Sequence, residues 1–255
     1  MADLFTEATP SRVKDTKDLH LITCSTPNGK KVQILLEELK EVYGLDWTTS
    51  LIDLETNEQK QPWFLRLNPN GKIPIIIDRP SGEDPFPVME SSAELLYLVE
   101  KFDPDHHFHF ATATHRSQLY QWLIFWHASG QPHQAGLNHF GRFAPVQVPY
   151  AVQRFKAETL RIYNVLELRL SDGLAGGDAR EYLAGAGRGT YSIADINAYP
   201  WVRAWSTSTI TEEEMGQFPH LKKWIQRIEA RPAVLRGIGD QYDEEVHPEL
   251  LLTTT

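Results

Sequence analysis

The segment Ser25-Thr26-Pro27-Asn28-Gly29 constrains this chain more than any other, because it stands where a short apolar run meets an amphipathic one. Leu19 to Cys24 reads as a largely buried strand. Val32, Leu35, Leu36 and Leu39 then recur at the three-to-four-residue spacing of one helical face, which stops at Gly44. Pro27 suits the first helical position, where no hydrogen bond is lost, and Ser, Thr and Asn side chains satisfy the free N–H groups of a helix start. A strand feeding a capped helix leaves an N-terminus that attracts anions and can depress the pKa of a thiol placed against it.

With 255 residues the chain is long enough for two domains whose cores need neither disulfide nor metal. A single cysteine rules out an internal disulfide framework and a zinc site built on several thiolates, and it fits a reducing compartment. The first eighteen residues carry no apolar signal core and no run approaches a membrane span, so the expectation is a cytoplasmic protein without a membrane partner. A net charge of -9 argues against nucleic acid as a partner. Walker, Gly-x-Gly-x-x-Gly and Gly-x-Ser-x-Gly signatures are missing.

Along the chain, Trp47 to Asp53 reads as a second strand, followed by loop and a short irregular helix. Ile73 to Ile77 is a buried strand opening on Pro74, and the turn Pro80-Ser81-Gly82-Glu83 leads to a strand at Pro87 to Met89. Glu90-Ser91-Ser92 opens a helix reaching Phe102. That order is the order of a thioredoxin-like α+β domain over residues 18–102. Residues 103–113 read as a linker, and 114–236 as an all-α domain. It contains a long helix entered through Pro149 and a capping box at Ser192-Ile193-Ala194-Asp195. Residues 1–17 and 237–255, the latter closing on Thr253-Thr254-Thr255, read as tails.

Three elements in this order and spacing carry a resemblance: Ser25 to Gly29 after the first strand, Asn68-Pro69-Asn70-Gly71-Lys72-Ile73-Pro74, and Glu90-Ser91 at the next helix start. The chain resembles the cytosolic glutathione transferases over residues 18–236. It is most similar to the nu-class enzymes and the fungal nitrogen-catabolite-regulator-like group, through Thr-Pro-Asn-Gly and the stretch from Asn138 to Val152. The resemblance implies a thioredoxin-like domain with an all-helical partner domain, glutathione as cosubstrate with no metal, and a homodimer.

Residue by residue, it implies that the Thr26 hydroxyl and Asn28 amide donate to the glutathione sulfur, which would lower the thiol pKa. Taken locally, both are equally helix-capping residues. Lys72 would meet the glycyl carboxylate, the Ile73 backbone would pair with the cysteinyl part, and Pro74 would be a structural cis-proline. Glu90 and Ser91 would hold the γ-glutamyl ammonium and carboxylate, although the same pair also opens ordinary helices. Gln59 and Arg154 would also contact glutathione, Arg154 that of the partner subunit; a polar loop and a solvated helix face are the plainer readings. Asn138, His139 and Arg142 would wall the second substrate. His106, His107 and His109 read as linker surface rather than a metal cluster. Cys24, ending an apolar strand, reads as inert core.

The expected activity is glutathione-dependent disulfide-bond reduction, with hydroperoxide reduction beside it. Conjugation of glutathione to electrophiles and non-catalytic glutathione binding are the alternatives.

Overall fold

Residues 4–80, 83–172 and 176–252 are described by a computed structural model. They divide into a unit of residues 4–102 with 232–252 and a unit of 103–231. The predicted turn residues Ser81 and Gly82, and Thr253 to Thr255, lie outside the described residues.

The first unit runs α1 (Ser11–Lys14), β1 (His20–Thr23), α2 (Pro27–Tyr43), β2 (Thr48–Leu51), α3 (Pro62–Leu67), β3 (Ile75–Asp78), β4 (Phe86–Met89) and α4 (Ser91–Phe102), and α11 (Pro232–Gly237) returns to it. The sheet order is β2-β1-β3-β4. β1 pairs in parallel with β2 and antiparallel with β3, and β3 with β4 forms the expected hairpin. Ile22, Ile75 and Ile77 share a core with Trp63, Phe64 and Leu67. By strand alternation, Leu21 and its register partner Ile76 point to the opposite face.

Both terminal segments depart from the expectation of tails. Val13 is fully buried in the core of the first unit, with Leu4 and Phe5 packed against it. Arg79 Nη2 donates to the carbonyls of Val13 (3.1 Å) and Lys14 (2.7 Å), and Arg12 Nη1 donates to that of Glu249 at 2.6 Å. The helical region predicted to continue to Arg236 changes unit at Pro232. Gly237 meets α2 so closely that an added Cβ would stand 2.6 Å from Ile34 Cα. Leu252 N then donates to Leu51 O at 2.8 Å, and Leu251 bridges Leu51 in parallel at the sheet edge. Apolar runs of up to three residues in polar surroundings are too short to show a periodicity, so sequence patterning could not place them.

The second unit comprises α5 (Ala113–Phe125), α6 (Gln131–Asn138), α7 (Pro149–Ser171), α8 (Ile193–Val202), α9 (Glu212–Gly216) and α10 (Pro219–Glu229), with π-helical turns at Trp126–Gly130 and His139–Phe143. The predicted linker is folded onto this unit. The buried Asp103 carboxylate accepts from the backbone of His107 (2.9 Å) and Phe108 (2.8 Å), and Ile193 N donates to Phe108 O at 2.9 Å. In the capping box, Ser192 N donates to Asp195 Oδ2 at 3.1 Å. Asp195 also accepts from Trp224 Nε1 at 2.9 Å and Leu183 N at 3.0 Å, tying three segments of the unit together.

Candidate functional site

The C-terminal end of β1, the approach to β3 and the exit of β4 lie at one end of the sheet. The register Ile22↔Ile75 and Ile75↔Met89 requires this, and it sets Ile73-Pro74 and Glu90 beside the residues that follow Thr23. Three sequence motifs far apart in the chain therefore meet at one edge of the first unit.

Thr26 caps α2 in extended conformation, and its side-chain oxygen accepts from Gly29 N at 3.1 Å. Since that oxygen is the acceptor, the cap does not use the hydroxyl proton. Gly29 lets the helix start approach the strand end: a Cβ there would lie 2.3 Å from the Cys24 carbonyl. Gln33 Nε2 braces the same corner from Thr23 Oγ1 (3.0 Å) and Cys24 O (3.3 Å). Thr26 and Asn28 are half-buried at the first turn of a 17-residue helix, where its positive end attracts anions.

Cys24 is almost fully buried. Burial pushes its thiol up to about 12 and the charge of Glu244 adds to the effect, while a hydrogen bond with the Thr26 side chain pulls the other way. A thiol so poorly ionised is a weak nucleophile at neutral pH.

The Asn68 to Pro74 segment is shaped by its asparagines. Asn70 N donates to Asn68 Oδ1 at 2.9 Å, Asn68 Nδ2 to Lys72 O at 2.8 Å, and Gly71 takes the left-handed φ of 61° that closes the turn. The Ile73–Pro74 peptide is cis. Lys72 is exposed and Ile73 half-buried. Gln59 is mostly buried, its backbone carbonyl against Gly71 and its Oε1 without a hydrogen-bond partner.

Glu90 has φ 73°, a left-handed conformation that costs a non-glycine residue of order 1–3 kcal/mol and concentrates at ligand sites. Its Oε1 accepts from Asn70 Nδ2 at 3.2 Å, linking the turn to the start of α4. Ser91, buried beside it, accepts from Lys31 Nζ at 3.3 Å.

Thr26, Asn28, Gln59, Lys72, Ile73, Pro74, Glu90 and Ser91 therefore all belong to the first unit, and Asn138, His139, Arg142 and Arg154 to the second. Within that second unit Arg142 Nη1 donates to Thr207 O at 2.9 Å, and His139 is exposed in the same π-turn. Asn138 Oδ1 is buried without a hydrogen-bond partner, and Arg154 reaches Glu158 at 3.8 Å on a mainly exposed face. His106 Nδ1 meets His109 Nε2 at 2.8 Å, and His109 Nδ1 meets Asp103 Oδ2 at 2.8 Å. Among the described residues no group of three or more His, Cys, Asp or Glu is placed to hold a metal.

Sequence reasoning passed over Lys31 and Asn70. Lys31 had a signal, because it stands four residues before Leu35 on a buried helical face, where an unpaired charge is costly.

Comparisons with known proteins bear on the family. The family model described as "Glutathione S-transferase, N-terminal domain" matches residues 26–101, and "Glutathione S-transferase, C-terminal domain" matches 148–232. The chain is 38% identical to the disulfide-bond oxidoreductase YfcG of Escherichia coli, over 84% of this chain and 92% of that protein. A glutathione transferase homolog from Lodderomyces elongisporus, solved with two glutathiones per subunit, superposes with TM-score 0.77 at 36% identity, covering 88% of this chain and 98% of that one. A glutathione transferase from Pseudomonas putida with one glutathione disulfide per subunit gives TM-score 0.76 at 30% identity, covering 91% and 96%.

Proposed function

This chain belongs to the glutathione S-transferase family, and from that premise we propose that it is an enzyme that reduces disulfide bonds with glutathione. The observation that carries the reading is the first turn of α2. It offers the Thr26 hydroxyl and the Asn28 amide at a positive helix end, beside a protein thiol that burial has disabled. The nucleophile is then the sulfur of glutathione itself. Donation from Thr26 and Asn28 favours the thiolate, which attacks one sulfur of the substrate disulfide; a new S–S bond forms and the other sulfur leaves as a thiolate. A second glutathione completes the reduction, and glutathione disulfide is the oxidised product. The likeness to a disulfide-bond oxidoreductase supports this over conjugation.

In this reading Lys72 takes the glycyl carboxylate and the Ile73 backbone pairs with the cysteinyl unit. Glu90 takes the γ-glutamyl ammonium, Ser91 takes its carboxylate, and Gln59 adds a contact. Asn138, His139 and Arg142 serve the second substrate, and Arg154 serves the glutathione of a partner subunit in a cytoplasmic homodimer. We place the chain with the nu-class and fungal nitrogen-catabolite-regulator-like enzymes, with hydroperoxide reduction as an accompanying activity.

The test compares two substrates. Glutathione-dependent turnover of hydroxyethyl disulfide is expected to exceed conjugation of an electrophilic aryl chloride, and the reverse ratio would sink the assignment. No turnover of either, with glutathione still raising the Tm, would make this a binding protein. Cys24→Ala is expected to stay within about twofold of the parent rate, since an un-ionised thiol contributes little. Asn28→Ala is expected to move the pH–rate profile upward.

A further inference from the structure

The start of α4 carries a charge arrangement that the proposed reaction leaves unused. Lys31 is fully buried on α2, and its Nζ donates to Ser91 Oγ at 3.3 Å. Glu94, three residues after Ser91, is also fully buried, and neither of its carboxyl oxygens has a hydrogen-bond partner. An ammonium can only donate, so Ser91 Oγ must accept from it, and the serine proton is left to point elsewhere.

We propose that Lys31 is a positioning residue for glutathione: its buried ammonium orients the Ser91 hydroxyl and supplies the fixed positive charge against which the γ-glutamyl carboxylate docks. This rests on the glutathione site assigned above and adds to it a group that touches the ligand only through Ser91. The charge balance favours the arrangement. Glu90 stands for the ligand ammonium, and Lys31 for its carboxylate, so a zwitterionic γ-glutamyl end meets one group of each sign. Glu94 competes only weakly for Lys31, because burial, reinforced by the charge of Glu90, pushes its carboxyl well above the usual range, against the pull of Lys31.

Other charged groups on the packed elements are already engaged. Arg236 of α11 holds Glu37 and Glu41, and Asp78 of β3 is held by Lys101 and Tyr97 at the far end of α4. Burial pulls Lys31 down to about 7, while Glu94 and Glu90 act to raise it. Near neutral pH the empty site therefore holds a mixture of charged and neutral lysine. An arriving carboxylate selects the charged form, and binding takes up a proton as pH rises past 7.

S-methylglutathione is the probe, since it keeps the γ-glutamyl end and lacks an ionisable thiol. By isothermal titration calorimetry its Kd is expected to rise about tenfold between pH 6 and pH 8, one decade per pH unit above the lysine pKa. At pH 7.5, titrations in buffers of different ionisation enthalpy are expected to show proton uptake greater than in Lys31→Met. That variant is expected to bind weakly already at pH 6, with a flatter pH dependence. Lys31→Met combined with Ser91→Ala is expected to cost less binding than the sum of the two single changes. If the methionine variant does not fold, Lys31→Arg keeps the charge at pH 8 and is expected to flatten the pH dependence. Binding to Lys31→Met with unchanged affinity and proton uptake, or to Lys31→Arg with the parent pH dependence, overturns this inference alone. Failure of S-methylglutathione to bind the parent protein overturns the glutathione site and this inference together.

Discussion

The two ends of the β1–α2 unit do opposite things with the same materials. At the end where β1 stops and α2 begins, side chains are short and polar: Thr26 and Asn28 are half-buried, and Gly29 presses into the corner that Gln33 braces. Toward the other end, polar groups are consumed. His20, at the start of β1, is fully buried with Nδ1 on Thr48 Oγ1 at 2.7 Å. Glu37, in the later half of α2, takes Arg236 Nε (2.9 Å), Gln241 Nε2 (2.7 Å) and Tyr242 OH (3.1 Å). The contrast teaches a division of labour: one end is braced by buried polar contacts, while the other brings half-buried polar side chains to a helix start.

Three perturbations test that division. Gly29→Ala should have the largest effect. Its Cβ would collide with a backbone carbonyl that cannot swing away, costing about 1–3 kcal/mol of stability. The accompanying displacement of Thr26 is expected to lower disulfide turnover by about a hundredfold. A variant with full activity would show that the open end tolerates movement. Acid titration should come next. Burial lowers His20 from 6.5 to about 4, with the charges of Arg79 and Arg12 adding to the shift. The folded state keeps the ring neutral while the unfolded chain binds a proton, so stability is complete above pH 6.5 and falls as pH drops toward 4. Chemical denaturation is expected to show a loss of about 3 kcal/mol across that window that is absent in His20→Asn. An identical acid profile in the variant would remove His20 from the account. Glu37→Ala should be smallest, about 2 kcal/mol in stability, because Arg236 is partly exposed and keeps Glu41. Its turnover at 25 °C is expected to remain that of the parent; a fall in kcat without a fall in Tm would mean the two ends are not separable.

How far the sequence disclosed this unit depended on whether the relevant chemistry was local. The cap at Thr26 and the helix to Tyr43 were readable, because capping is decided by neighbours within a few residues. The left-handed Glu90 was not, since nothing about a glutamate announces a positive φ. The burial of α2 on more than one face was also hidden. The pattern marked Val32, Leu35, Leu36 and Leu39, whereas every residue from Lys31 to Leu39 is buried, because α4 and α11 both pack against the helix. The covering helix lies some two hundred residues downstream, and a contact of that range leaves no periodic trace.

The bridge at Leu51 has a consequence for how the molecule behaves in company. β2 is an edge strand, and an unpaired edge is a template on which a second chain can add its own strand. Here residues 251 and 252 meet that edge at Leu51, with Leu252 N on Leu51 O and the Leu252 side chain sealed into the core. Detaching them would expose backbone donors and acceptors together with an apolar pocket, which is the combination that seeds intermolecular β-pairing. Residues 251 and 252 thus shield the Leu51 end of that edge as well as bracing the fold.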